Sequence, residues 1–284
     1  MIVMARTARS RHRDIVAVVR RARCTGLCRV DDEGYCEVVA GHRASINAAM
    51  TNTQLYRGFR YPREIISHAV WLYFRFSLSF RDIEELMASR GVIVTYETIR
   101  QWTLRFDRHY AAELRCRQPR RGDKWHLYEV VLTIKGEHHY LWRAVDQDGH
   151  TLDVLVQSQR NRQAAKRFFR KLLKGLRYPP RVLITDKLKS YAAAKVQIMP
   201  GVEHRQHKGL NNRAKLSHHP TRQRERQMRR YKSPRQVQRF VSVHGPINNL
   251  FRCQRNRLSA NHYGYVLAQA FSLWNEVPDV AKNA

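Results

Sequence analysis

The order of secondary structure in the second half of the chain constrains the fold more than any other feature of the sequence. Alternating apolar residues predict strands, and an apolar period near 3.6 predicts a helix. Glycine-containing turns separate the strand-like runs, and Pro179-Pro180 ends the helix-like run. The elements are, in order, strands at 125–134, 139–145 and 152–156, a helix at 162–176 and an apolar strand at 181–185. This order predicts an α/β domain with a mixed sheet flanked by helices.

The connections between these elements narrow the topology further. Short turns join the first three strands, so these strands form an antiparallel meander. The helix then supplies a crossover that is long enough to bring the fourth strand alongside in parallel. Three meandering strands, a crossover helix and a parallel strand that delivers Asp186 are the ribonuclease H-like order. We therefore expect a ribonuclease H-like domain over residues 125–277, closed by a basic helical tail.

Residues 58–107 have the periodicity of three helices. The first begins after Pro62, the second is capped by Ser79 together with Asp82, and the third begins near Thr95. Helix, short turn and helix is the helix-turn-helix plan, in which the last helix enters the major groove of DNA. A plain three-helix bundle has the same periodicity and is the alternative. The candidate DNA-binding side chains at the start of the third helix are Tyr96, Glu97, Arg100 and Gln101.

Two segments lie outside these predicted domains. Residues 108–124 are charged and end in RQPRRGDK, which predicts a linker between the helix-turn-helix domain and the sheet. Residues 1–49 show no sustained helical period and precede a second methionine, Met50. We expect this N-terminal segment to be poorly ordered or to lie upstream of the true translation start.

The charge balance predicts the class of partner. Among 284 residues there are 53 Lys plus Arg and 23 Asp plus Glu, so the formal net charge is 53 − 23 = +30. A field of this sign and size favours a polyanion, and a long nucleic acid is the first candidate. No apolar stretch approaches the ~18–20 residues that span a bilayer, which argues against a membrane partner.

One segment concentrates this positive charge. Between Arg213 and Arg235 there are nine Lys or Arg and a single acid, Glu225. A charge run of this kind is often only a solvated face, but so strong a bias also favours contact with phosphates. On a continuous helix, one face would carry Arg222, Arg226, Arg229 and Arg230.

Long motifs from Thr51 to about Val277 resemble the DDE transposases of bacterial insertion sequences, specifically the insertion sequence six family. The resemblance implies a helix-turn-helix region that holds the terminal inverted repeats and a ribonuclease H-like domain that cuts and joins DNA. The motifs are GFRYPREIISHAVWLYFRFSLSFRDIEELMASRGV (58–92), YETIRQW (96–102), KWHLYEVVLTIKG (124–136), YLWRAVDQDG (140–149), RVLITDKLKSY (181–191), VEHRQHKGLNNRA (202–214) and RQRERQMRRYKSPRQVQRF (222–240).

The resemblance also implies a catalytic triad, and two of its three positions are altered here. In such enzymes three carboxylates hold two Mg²⁺ ions, which activate the attacking oxygen and stabilise the leaving oxygen. The family's first Asp corresponds to Tyr128 in WHLYE, and its Glu corresponds to Lys215 after NNRA. Its second Asp is retained as Asp186 in TDKL. Asp186 is therefore the one catalytic and metal-binding carboxylate that the resemblance leaves in place.

These substitutions change the charge that a metal would meet. The formal charge of the triad goes from −3 to 0 − 1 + 1 = 0 for Tyr128, Asp186 and Lys215. Mg²⁺ prefers charged oxygen ligands, whereas a phenol of pKa ~10 is neutral at pH 7 and an ammonium repels the ion. Glu129 is adjacent, but consecutive side chains on a strand face opposite sides. Mg²⁺ is thus the cofactor expected for the family, and we expect this chain to bind it poorly.

Two hypotheses for function follow. In the first, the chain is a Mg²⁺-dependent transposase that uses displaced carboxylates. In the second, it is a non-catalytic DNA-binding protein that inhibits transposition by intact copies or is the product of a decaying gene. Both predict double-stranded DNA as the partner, namely the inverted repeats at the ends of the element and the target DNA. Both also predict a homo-oligomer located in the bacterial cytoplasm at the nucleoid.

Overall fold

A computed structural model of the chain describes residues 55–117, 121–186, 188–207, 209, 211, 218–253 and 258–279. The N-terminal segment 1–49 and the triad position Lys215 lie outside the described residues. The expectations stated for them therefore stay predictions.

Three helices form the N-terminal layer, as their periodicity predicts. They are α1 (Arg63–Arg75), α2 (Phe80–Ala88) and α3 (Tyr96–Arg117). The predicted cap of α2 is present: the Ser79 hydroxyl accepts from the Asp82 amide at 3.1 Å, and the Asp82 carboxylate accepts from the Ser79 amide at 2.7 Å. This capping box satisfies backbone donors that have no partner within the helix. The turn between α2 and α3 passes through Gly91, whose φ of 77° suits glycine.

Helix α3 differs from the predicted domain boundary. It continues to Arg117, so residues 108–117 of the expected linker are helical. The physical reason is that the apolar face of α3 does not stop at Phe106: Tyr110, Ala111 and Leu114 extend it and are buried in the same core. Exposed charged residues such as Arg108 and Arg115 gave this segment the composition of a linker.

The sheet has five strands in the order β3-β2-β1-β4-β5. Strands β1, β2 and β3 pair antiparallel, whereas β4 and β5 run parallel to β1. This is the ribonuclease H-like topology that the order of elements predicts. The strands are β1 (Lys124–Ile134), β2 (Glu137–Asp146), β3 (Thr151–Gln157), β4 (Val182–Thr185) and β5 (Glu203–Gln206).

One face of the sheet is covered by the crossover helix α4 (Arg162–Leu176) and by α5 (Lys189–Ile198). Trp125 and Trp142 lie fully buried in this layer. Removing an aromatic side chain of this size from water contributes ~1.5–3 kcal/mol or more. Both tryptophans thus belong to the core.

The other face packs against the N-terminal helices and the C-terminal helices in one continuous core. Phe240 stacks on Phe74 at 5.5 Å between ring centroids, which joins the first and last thirds of the chain. A buried ion pair between Asp107 and Arg239, at 2.7 Å, ties α3 to the same region. The C-terminal elements are α6 (His219–Gln227), α7 (Pro234–Leu250), α8 (Ala260–Glu276) and a short 3₁₀ turn (Val277–Asp279).

The basic segment corrects one expectation. Helix α6 ends at Gln227, and both Arg229 and Arg230 have left-handed backbone, with φ of 50° and 71°. These two arginines therefore do not share a helical face with Arg222 and Arg226. The chain reverses here because the buried Tyr231 must return to the core before α7 starts.

The length and apolarity of the described helices decide whether any of them could cross a bilayer. Helix α3 has 22 residues, enough length for a span, but its sequence YETIRQWTLRFDRHYAAELRCR is rich in charge. Within the described part of the chain, no helix combines the length and apolarity that crossing a membrane requires.

The capping box of α2 gives a stability prediction. Ser79→Ala removes the acceptor for the Asp82 amide, and we expect a loss of ~1 kcal/mol in the free energy of unfolding by urea. Ser77→Ala, two residues earlier, is the matched control and should leave the midpoint almost unchanged. Equal effects of the two substitutions would contradict the role of the capping box.

Candidate functional site

Two of the three positions that the resemblance assigns to the triad lie near the centre of the sheet, Tyr128 on β1 and Asp186 directly after β4. Strands β1 and β4 pair in parallel, with Trp125 level with Leu183 and His126 level with Ile184. Tyr128 lies two residues beyond this paired stretch on β1, and Asp186 follows directly after β4 ends at Thr185. Both residues therefore lie where the paired part of β1 and β4 ends, although they are distant in sequence.

Tyr128 occupies a buried position on β1. Its side chain is 4% exposed and packs with Val145. Its ring lies 6.2 Å from the imidazole of His218, edge to face. Across the antiparallel ladder its register partner is Arg143 of β2. The position that the resemblance assigns to the first carboxylate thus holds an aromatic ring, with Arg143 opposite it on β2.

Arg143 is a buried cation whose hydrogen bonds go to neutral groups. Its Nη1 donates to the Thr221 hydroxyl at 3.0 Å and its Nη2 donates to the Thr151 hydroxyl at 2.7 Å. Its Nε has no hydrogen-bond partner, and no described carboxylate forms an ion pair with it. A charged group buried without a counter-charge is costly, so an acid at the neighbouring position 128 would be favourable.

The field of Arg143 extends to its titratable neighbours. Burial, followed by the charge of Arg143, lowers the pKa of His218 to about 3 and that of His244 to about 3. Burial and then Arg143 also lower the pKa of the Arg252 guanidinium from its usual range. Both histidines are therefore neutral at pH 7, and the surroundings of Tyr128 are positive.

Glu129 lies on the opposite face of β1 from Tyr128, as strand alternation requires. Its Oε2 accepts from the Tyr191 hydroxyl at 2.8 Å and its Oε1 forms an ion pair with Arg160. Burial raises the pKa of the Glu129 carboxyl above its ordinary value of 4.5, and the charge of Asp186 raises it further. The sequence did not predict this repulsion between Glu129 and Asp186, because it depends on how the chain turns after β4.

Asp186 makes local contacts at the end of β4. Its Oδ1 accepts from the Leu188 amide at 3.1 Å, just before α5 begins. The hydroxyl of Thr185 donates to the Asp186 carbonyl at 2.8 Å. One oxygen of the retained carboxylate thus stabilises the turn into the next helix.

These residues do not fit a pair of Mg²⁺ ions. The phenol of Tyr128 brings no charge, Arg143 and Arg252 make its surroundings positive, and each oxygen of Glu129 already has a partner. Hard divalent cations need several charged oxygens. Asp186 alone does not supply them, so we derive no metal-dependent step for this chain.

A second acidic group lies at the turn between β2 and β3, formed by Asp146, Asp148 and His150. The buried Asp146 Oδ1 accepts from the amides of Asp148 and His150 at 3.0 and 2.8 Å. Its Oδ2 lies 3.5 Å from the His150 imidazole. Hydrogen bonds and the charges of the surroundings hold the pKa of Asp146 low despite its burial. This arrangement accounts for the turn without any bound ion.

The chain is similar to known proteins in sequence. Residues 122–254 match the family described as a DDE domain. Over 215 residues the chain is 30% identical to the transposase for insertion sequence-like element IS431mec of Staphylococcus aureus strain Mu50, covering 74% of this chain and 93% of the relative. The transposase for insertion sequence element IS257 in transposon Tn4003 of Staphylococcus aureus matches with the same identity and coverage. The chain belongs to the DDE transposases of insertion sequences.

A solved structure is also similar. A chain of the simian T-cell lymphotropic virus intasome in complex with PP2A regulatory subunit B56 gamma aligns with a TM-score of 0.34 and 10% sequence identity. The alignment covers 59% of the transposase and 58% of that chain.

The first turn of α3 carries the predicted DNA-reading residues of the transposase. Tyr96 is exposed, and the guanidinium of Arg81 lies over its ring at 5.4 Å. Arg100 donates to both oxygens of Glu97, at 2.8 and 2.7 Å, and Gln101 donates to the same carboxylate at 3.3 Å. In this conformation Glu97 holds both side chains that could read base edges.

The arginines of the basic segment divide into different roles. Arg226 is exposed, whereas Arg222 pairs with Glu225 at 2.8 Å and donates to the Val131 carbonyl at 3.0 Å. Arg224, which the sequence did not single out, is buried with its guanidinium 4.2 Å from the centre of the Tyr73 ring. It also donates to backbone carbonyls of the loop between α1 and α2. Part of the positive charge of the segment therefore joins the two halves of the chain.

The coupling of Asp186 to Glu129 gives a pH-dependent prediction. A carboxyl whose pKa is higher in the folded chain loses stability as pH rises from its ordinary pKa through the folded one. Asp186→Asn removes the repelling charge but keeps an oxygen for the Leu188 amide. We expect it to raise the free energy of unfolding at pH 7 by on the order of 1 kcal/mol, and to lose most of this effect near pH 3, where Glu129 is largely protonated in both states.

The control for this prediction is the same substitution made in a Glu129→Gln background. Without the Glu129 charge, Asp186→Asn should give no gain at either pH, when unfolding in urea is followed by circular dichroism. An equal gain in both backgrounds would show that the effect of Asp186 does not pass through Glu129.

Proposed function

We propose that this transposase binds the DNA ends of an insertion sequence but has lost metal-dependent cleavage and strand transfer. The observation that carries the proposal is the buried Tyr128 opposite Arg143, a cation that forms no ion pair with any described carboxylate. A metal site at this position would have to form next to a guanidinium, with a neutral ring in place of its carboxylate. Repulsion of this kind disfavours a divalent cation at short range.

The remaining triad positions support the same conclusion. Asp186 contributes a single negative charge. Lys215 stands in the motif position of the family's Glu, and its positive charge offsets that of Asp186. Two-metal catalysis needs both ions held against the scissile phosphate, so a formal charge of zero removes the basis for it. Use of Glu129 as a displaced ligand would require it to leave both Tyr191 and Arg160.

Support for DNA binding comes from separate features. The net charge of +30 favours a polyanion, and α2, a short turn and α3 have the order of a helix-turn-helix. Tyr96, Arg100 and Gln101 lie at the exposed start of α3. Arg222, Arg226, Arg229 and Arg230 are candidates for phosphate contact. A protein of this kind would compete with intact copies for the same ends, as a homo-oligomer or in mixed oligomers.

The role of α3 in recognition is tested by Arg100→Ala. Arg pairs with guanine in the major groove, and such a pair contributes ~1–3 kcal/mol of discrimination. We expect the substitution to reduce affinity for the inverted-repeat ends much more than affinity for unrelated DNA, as measured by fluorescence anisotropy.

Arg105→Ala is the matched control, because Arg105 is also exposed on α3 but lies about 140° around the helix from Arg100. It should weaken binding to both DNAs equally. If Arg100→Ala lowers the two affinities by the same factor, Arg100 does not read sequence.

The proposed loss of catalysis is tested by restoring the triad. The protein should neither nick nor join inverted-repeat DNA in Mg²⁺ or Mn²⁺. Tyr128→Asp leaves a formal charge of −1, and Lys215→Glu alone gives −2 without the carboxylate on β1. Each single reversion should recover little, whereas the double reversion should recover more than the two combined, since residues that act as one unit are strongly non-additive.

The structure adds a readout that does not depend on cleavage. Tyr128→Asp places a carboxylate opposite Arg143, so it should reduce the cost of burying that guanidinium. Tyr128→Asn, of nearly the same size but uncharged, is the control and should be less stable in urea than Tyr128→Asp at pH 7. Metal-dependent cleavage by the unmodified protein would overturn the proposed loss of catalysis.

A further inference from the structure

A cleft of about 580 Å³ lies between the helical layer and the far edge of the sheet. Helices α3 and α7 form one side, and the edge strand β3 with α4 forms the other. None of the residues described above around Tyr128 lines this cleft, so the two sites are distinct. The charged residues of its lining are Arg108, Arg115, Asp153, Lys171, Arg235 and Arg239.

The charges of this cleft do not balance. Lys171 forms an ion pair with Asp153, and Arg239 forms one with Asp107 behind the wall at 2.7 Å. Arg108, Arg115 and Arg235 have no ion pair with any described residue. Three guanidinium groups thus line one concave surface without an ion pair to a described residue, and Asp153, the acid of the lining, attracts Arg115 but is already paired with Lys171. Cations held together in a cleft focus a positive potential and attract an anion.

The walls of the cleft are held in place by hydrogen bonds. The Gln238 side chain accepts from the Val156 amide at 2.8 Å and donates to the Ser242 hydroxyl at 2.8 Å. Lys171 donates to the Val154 carbonyl at 2.8 Å. These contacts also satisfy the free edge of β3, which would otherwise offer unpaired backbone groups. A rigid wall reduces the entropy that binding a ligand would cost.

The side chains that line the cleft indicate which class of anion it would bind. Arg side chains are suited to phosphate, because their planar donors bind its oxygens in pairs. The described lining contains no aromatic side chain, so it offers no platform on which a base could stack. These features favour a sugar-phosphate backbone over a free nucleotide.

We propose that this cleft binds a phosphodiester group of double-stranded DNA without reading its sequence. The inference rests on the proposed DNA binding, and it assigns part of that binding to Arg108, Arg115 and Arg235. Arg108 lies eight residues beyond Arg100 on α3, a distance of ~12 Å along the helix axis. One helix would therefore present base-reading residues at its start and a phosphate anchor in its second half.

The proposal is tested by the salt dependence of DNA binding by the full chain. Arg108→Gln with Arg235→Gln removes two exposed cations that form no ion pair with described residues. For a short duplex of unrelated sequence, the slope of log affinity against log salt should fall by up to ~0.9 for each lost phosphate contact. Both single variants are measured as well, so that a folding defect in the double variant leaves two independent tests.

The matched control is Lys166→Gln with Arg170→Gln, which removes the same charge from α4 outside the cleft lining. It should leave the slope close to that of the unmodified protein. An equal fall in the control would overturn the proposal, because the positive charge of the whole surface would then explain the slope. An unchanged slope in the cleft variants would overturn it directly.

Two further comparisons distinguish a small anion from DNA as the ligand, and failure of the cleft assignment from failure of the proposed DNA binding. Inorganic phosphate and a mononucleotide are added in turn while the thermal midpoint is measured. Stabilisation by either, lost in the cleft variants while the DNA slope is unchanged, would assign the cleft to a small anion and overturn the DNA anchor. If the unmodified protein bound no duplex at all, the proposed DNA binding would fail. If the unmodified protein bound duplex DNA and the cleft variants had the same salt slope as the unmodified protein, the cleft assignment alone would fail.

Discussion

The pairing of β1 between β2 and β4 is the constraint on which the rest of the structure depends. Because β1 is central and both faces of the sheet are covered, its successive side chains enter different cores. Tyr128 joins the side that carries Arg143, and Glu129 joins the side that carries Tyr191. A carboxylate cannot move from one face to the other without breaking the register of the whole strand. Glu129 therefore cannot take the place of an acid at position 128.

That constraint also explains why the site is positive rather than merely uncharged. Arg143 is buried and donates to two threonine hydroxyls. An acid at position 128 would face this guanidinium, whereas beside Tyr128 no described carboxylate forms an ion pair with it. The low pKa values of His218 and His244 are consequences of the same burial and the same charge.

Sequence reasoning predicted the elements whose periodicity is local, such as the helix at 162–176 and the strand at 125–134, which the structure reproduces almost residue for residue. It was wrong where tertiary contacts decide the outcome. Helix α3 passes through the expected linker because buried residues continue its face, and the basic helix ends early because Tyr231 returns to the core. Arg143 could not be predicted from sequence, since its importance depends on register with a strand more than ten residues away.

The net charge illustrates the same limit in physical terms. A count of +30 treats every arginine alike, but Arg224 is buried on Tyr73 and Arg239 is paired with Asp107. These cations hold the helical layer to the rest of the chain and are not free to meet DNA. Arg108, Arg115 and Arg235 have no such ion pair among the described residues. Partner binding follows from the cations left after internal pairing, and among the described residues these include Arg226, Arg229 and Arg230 of the basic segment as well as the arginines of the cleft between α3 and α7.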